Sequence, residues 1–194
     1  MNKIPLFNKI ILLGFSSLFI LLGVSSIIFY NKGYRLNLTE SYPIGIYRLK
    51  DASKLSKNDM ILFCPPKNNI FIEAYKRGYI EDGLCPSGFW ALQKKIVGLP
   101  GDRVVINDYV YINGSRIKNS NVFKVDPQGK KMLLMAPDQR DIIIPPGKMF
   151  VISDYNKLSY DSRYFGLVDQ NLTLGKTVPI YTIADQQFKE LKSY

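Results

Sequence analysis

The stretch "LQKKIVGLPGDRVVINDYVYINGSRIK", Leu92 to Lys118, decides how this chain is read. A lysine pair leads an apolar run into Leu-Pro-Gly-Asp, where Pro100 presets φ and Gly101 accepts a left-handed backbone, so the four residues make a turn between two strands. Beyond it, apolar and polar residues alternate around Tyr109, Tyr111 and the Asn113-Gly114 pair, the pattern of a β-hairpin. In a strand, neighbouring side chains point to opposite faces. Lys94 and Lys95 are therefore separated, and one can be buried while the other is solvated.

Outward from this stretch, "MILFC", "RVVI", "YVYI", "IIIP" and "KMFVI" all read as strands. Helical signals are weak: "IFIEAYKRGYI" fits a helix or a strand and loop, and the C-terminal "DQQFKELKSY" fits a short surface helix. The run Ile10 to Tyr30, "IILLGFSSLFILLGVSSIIFY", carries no charge. As a helix it spans roughly 31 Å, close to a ~30 Å hydrocarbon core. Its length, and the lack of a small-residue cleavage site, favour an uncleaved anchor over a signal peptide, whose apolar core is ~7–15 residues. The expected organisation is a tail over 1–9, a transmembrane helix over 10–30 and a mainly antiparallel β domain over 31–194, without internal repeats.

The net charge of +10 is spread along the chain with no dense basic block or aromatic-basic patch, which argues against a nucleic-acid partner and fits a surface beside anionic lipid headgroups. Lys3 and Lys9 precede the apolar run and Lys32 and Arg35 follow it, so the charge bias setting orientation is slight. Two cysteines, Cys64 and Cys85, without histidine neighbours, do not make an ordinary zinc site, and neither metal nor cofactor is expected. They read as a disulfide, which would imply an oxidising compartment, or as two buried thiols.

Two polar stretches carry the candidate chemistry. "NLTESYPIGIYRL", Asn37 to Leu49, sets Ser41 in a short turn, and "VISDYNKLSYDSRYFG", Val151 to Gly166, is dense in Ser and Asp. The chain has no histidine, the usual base for an active serine, so serine chemistry here needs another base. The order of a serine turn after an apolar anchor, then Lys-Lys-Ile-Val-Gly-Leu-Pro-Gly-Asp, then Ser-Tyr-Asp-Ser-Arg-Tyr-Phe-Gly, resembles the type I signal peptidase family of serine/lysine proteases. Asn-x-Thr-x-Ser-x-Pro-x-Gly-x-Tyr and the cysteine-bearing segments "FCPP" and "RGYIEDGLCPSG" resemble its conjugal-transfer branch, the TraF-type pilin-maturation peptidases.

That resemblance implies a signal-peptidase or LexA-like β fold and a set of roles. Ser41 would be the nucleophile and Lys94 the general base, with Lys95 a surface or membrane-facing charge. Burial against "FWAL" and "IVGL" would lower the Lys94 pKa from ~10.4 towards the ~7–8 that a base needs. The Thr39 hydroxyl and the Ser41 backbone N–H would form the oxyanion hole, although Thr39 also suits a local turn bond. Pro43 and Gly45 would shape the turn. Ser159 would orient the lysine amine, Asp161 and Arg163 would brace the site as a charge-assisted pair, and Ser162 and Tyr164 would be scaffold. Asp154 falls where the family has the Asp of Gly-Asp-Asn, but Ser153-Asp154-Tyr155 departs from that pattern. The implied substrate is a membrane-inserted pilin or preprotein at the outer face of the cytoplasmic membrane, with conjugation or secretion components as further partners. A general leader peptidase and a non-catalytic anchored β module are the competing readings.

Overall fold

The computed structural model describes residues 6–132 and 140–183. The chain divides into two units, Met1–Arg35 and Leu36–Tyr194. The first is the helix α1, Leu6–Asn31, a few residues longer than the uncharged run. Its Leu13–Asn31 portion has a mean hydropathy of 2.0 and buries none of its surface. The helix has the length and apolar composition of a membrane span, and its serines satisfy themselves locally: Ser17 Oγ donates to the Gly14 carbonyl and Ser26 Oγ to that of Leu22.

The chain beyond the helix is built from strands. β1 is Tyr34–Asn37, β2 Gly45–Lys50, β3 Met60–Phe63, β4 Leu92–Gly98, β5 Arg103–Ile106, β6 Val110–Ile112, β7 Ser115–Arg116, β8 Asp141–Ile143, β9 Lys148–Ile152, β10 Val168–Asp169 and β11 Thr173–Thr182. Seven form one sheet in the order β1-β2-β11-β3-β4-β9-β10, and four form a second, β7-β6-β5-β8. The sequence-predicted strands all fall in these sheets. Asn113 and Gly114 take positive φ between β6 and β7, as a tight hairpin requires, and Gly101 does so in the turn from β4 to β5.

Alternation on β4 divides the core in two. Lys94 pairs across from Ile61 and Ile96 from Val151, facing a cluster that includes Phe63, Phe71, Tyr160 and Phe165. Val97 belongs instead to a second cluster with Val104, Ile112, Phe150 and Ile152. The ambiguous "IFIEAYKRGYI" segment is helical at its start: α2, Asn69–Lys76, is capped by the Asn68 side chain and buries Phe71 and Ala74, one turn apart, in the first cluster. β11, a ten-residue strand between β2 and β3, was not foreseen, because Gly175 and Pro179 interrupt its pattern and the register shifts beside both. The helix expected over "DQQFKELKSY" lies outside the described residues.

Candidate active site

Ser41 sits in the turn between β1 and β2, and Asn37 fixes that turn. The buried Asn37 amide donates to the carbonyls of Thr39, Tyr42 and Pro43 at 3.0–3.1 Å, while its Oδ1 accepts from the Thr39 N–H and from Thr39 Oγ1 at 2.9 Å. The Thr39 hydroxyl proton is thus given to Asn37. The Ser41 carbonyl accepts from Ser153 Oγ at 2.5 Å. Gly45 follows the turn because β11 presses against it: a Cβ there would lie 2.1 Å from the Tyr181 carbonyl oxygen.

β4 brings Lys94 to the same point. Its side chain is 2% exposed, and Nζ donates to Ser41 Oγ at 2.8 Å and to Ser159 Oγ at 2.7 Å, with the two hydroxyls 3.2 Å apart. Among the described residues no carboxylate touches the amine. Burial pushes Lys94 down to about 8; Asp161 opposes that shift and Arg163 adds to it. Of the apolar wall expected from "FWAL" and "IVGL", Trp90, Ala91 and Leu92 line the space beside the amine while Phe89 and residues 96–99 do not, and Tyr79, Ile80 and Tyr160 complete a cavity of about 110 Å³. A wider groove of about 530 Å³ continues from it past Leu38, Asp126 and Leu158.

Ser159 is held by the ion pair behind it. Arg163 and Asp161 are fully buried and joined by two 2.7 Å hydrogen bonds, and Arg163 also donates to the carbonyls of Asn119, Asn121, Lys157 and Ser159. Asp161 accepts from the Ser153 N–H, so the pair reaches Ser41 as well, through Ser153. Ser162 Oγ accepts from the Val151 N–H and Tyr164 Oη from that of Phe123, bonds within the framework. Sequence reasoning gave Asn37 and Ser153 no role. Asn37 had a signal, since an Asn two residues before a Thr suits a local side-chain turn. Ser153 had none, because its partner is distant in the chain.

Lys95, expected as a surface or membrane-facing charge, is partly buried, and its Nζ donates to Asp154 Oδ2. Asp154 also accepts from Tyr42 Oη at 3.1 Å, so it touches the residue beside Ser41 and not Lys94. Cys64 and Cys85 form a disulfide across a separation of 21 residues, tying the end of β3 to the loop whose flanks, Gly78–Glu81 and Trp90, line the cleft.

A buried lysine against two serine hydroxyls, on a β domain that follows a membrane helix, defines a class. The chain belongs to the signal peptidase family, peptidase S26, whose model matches residues 8–182. It is thus a member of a hydrolase family, with the single-pass inner-membrane topology typical of it. Within that family it is similar to the conjugal transfer protein TraF of Agrobacterium fabrum, at 38% identity over 77% of this chain and 83% of the relative. It is also similar to a plasmid transfer protein TraF of Escherichia coli, at 30% identity over 94% of this chain and 99% of that one. Signal peptidase I of Bacillus caldolyticus is 34% identical over 43% of this chain and 49% of its own length.

Proposed function

We propose that the chain is a membrane-anchored serine endopeptidase in which Lys94 is the base for Ser41, and that its substrate is a conjugative pilin precursor. The observation that carries the reading is the 2.8 Å contact between a fully buried Lys94 Nζ and Ser41 Oγ. With the amine neutral, that contact runs in reverse and Nζ takes the hydroxyl proton as Oγ attacks the scissile carbonyl. The oxyanion then meets the Ser41 backbone N–H, which makes no other hydrogen bond among the described residues, and the Thr39 hydroxyl once it turns from Asn37. Lys94 returns the proton to the leaving amine. Water, or the amino terminus of the pilin itself, resolves the acyl-Ser41 ester, giving a linear or a cyclic product.

The substrate would bind as a strand. β9 pairs with β4 only from Lys95 onward, so among the described residues Leu92–Lys94 is paired on one side alone, beside Ser41. The relatives are named as conjugal and plasmid transfer proteins, which favours a substrate of the conjugation apparatus over a general preprotein, and the disulfide favours a catalytic domain on the oxidising side of the membrane. The test is processing of a co-expressed conjugative pilin precursor, read by intact mass in membrane fractions. Wild type processes it, whereas Ser41→Ala and Lys94→Met each lose at least about 10³-fold in rate. Equal processing by all three would overturn the assignment, and a product one water lighter than the trimmed chain would identify cyclisation.

A further inference from the structure

Tyr160 occupies the open position of the Ser-x-Asp-Ser-Arg motif, between the serine that contacts Lys94 and the aspartate of the buried pair. Its ring is 8% exposed and packs against Tyr79, Tyr164 and Phe165, with centroids 5.2, 5.9 and 5.5 Å away. The hydroxyls of its two tyrosine neighbours are committed, Tyr79 donating to Asp126 and Tyr164 accepting from the Phe123 N–H. Tyr160 Oη is buried and has no partner among the described residues.

A buried hydroxyl without a partner costs roughly 1–3 kcal/mol, and a phenylalanine in the same stack would avoid that cost. The packing therefore does not account for the oxygen. Tyr160 lines both the cavity beside Ser41 and Lys94 and the groove that extends it. The cavity, about 110 Å³, holds the volume of roughly four waters, at about 30 Å³ each, and so suits a small side chain. Ile80, Trp90 and Leu92 make much of its wall apolar, while Gln93, also on the wall, has no partner for its Nε2 among the described residues. Burial pushes the Tyr160 phenol up, so it stays a donor at any working pH.

We propose that the Tyr160 hydroxyl is a specificity-determining donor, selecting substrates whose small side chain next to the scissile bond carries a hydrogen-bond acceptor. The inference rests on reading Ser41 and Lys94 as the peptidase pair, and it narrows the substrate class of that site from small residues in general to small hydroxyl- or amide-bearing ones. An acceptor on the substrate replaces the missing partner, whereas an apolar isostere leaves the phenol buried and unpaired.

The experiment uses the full-length chain in detergent and the pilin precursor varied at the residue before the cut and at the third residue before it. Ala, Ser, Val and Thr are compared at each. At one of these positions wild type prefers Thr to Val and Ser to Ala by roughly three- to tenfold in kcat/KM. Tyr160→Phe, which keeps the ring stack, brings both ratios close to one. Ratios near one in wild type, or ratios unchanged in Tyr160→Phe, would overturn the proposal. Ser41→Ala is run beside them: if it cleaves like wild type, or if wild type cleaves none of the precursors, the peptidase reading fails first and takes this inference with it.

Discussion

Lys94 and Lys95 are consecutive residues on one strand, yet they meet opposite chemistry. Lys94 is buried against two hydroxyls and, among the described residues, no carboxylate; Lys95 is partly exposed and ion-paired with Asp154. Strand alternation alone sends them to different faces, and what waits on each face decides what the amine can do. A hydroxyl cannot hold a proton on a buried amine as a carboxylate can, so the Lys94 side favours a base and the Lys95 side a brace.

The sharpest way to break this contrast is to replace each lysine by arginine, whose guanidinium keeps the charge and gives up no proton. Lys94→Arg loses at least about 10³-fold in precursor processing. Lys95→Arg stays within about fivefold of wild type, the range of a partly exposed ion pair. Equal losses would erase the distinction between the two faces.

Arg163→Met tests the support behind Lys94. It leaves Asp161 buried without its partner and removes donors to four carbonyls, so chemical denaturation should show a loss of about 3–5 kcal/mol. Because Arg163 helps to lower the Lys94 pKa, the rising limb of activity should also move to higher pH in whatever fraction stays folded.

A smaller effect separates the lysines by pH. Wild-type kcat/KM rises with pH through about 8 as Lys94 loses its proton. An unfolded lysine holds its proton up to about 10.5 and folded Lys94 only up to about 8. Between those values the unfolded chain binds more protons, so stability contributed at this site increases as pH rises through the window, and the burial cost is fully present below it. Lys94→Met removes that cost while Ser41 and Ser159 keep each other as partners. It should stabilise the protein at pH 7 by about 1–3 kcal/mol and flatten the slope above pH 8, measured as Tm against pH. Lys95→Met, at the other face, costs at most about 1 kcal/mol.

The parts legible in the sequence were those written in local patterns. Strand alternation around Leu-Pro-Gly-Asp, the Asn113-Gly114 hairpin and the uncharged helix all depend on near neighbours, and the motif order brought Ser41, Lys94 and Ser159 to attention. The partners of Lys95 and Tyr160 were not legible. Asp154 and Lys95 meet because β9 runs beside β4, and Tyr160 meets Tyr79 because α2 and the loop after it fold back on the first core cluster. Asn37 and Ser153 were passed over for a related reason: each acts by holding backbone carbonyls or N–H groups, and a sequence shows side chains rather than the main-chain groups they serve.

The bond between Cys64 and Cys85 gives the protein a timetable. Thiols stay reduced in the cytoplasm and pair outside it, so a newly made domain is untied until it has crossed the membrane. The wall carrying Tyr79, Ile80 and Trp90 then lacks its covalent tie until export. On the proposed reading, the cleft is tied only on the side of the membrane where a precursor would be cut, and export itself becomes the final step of its manufacture.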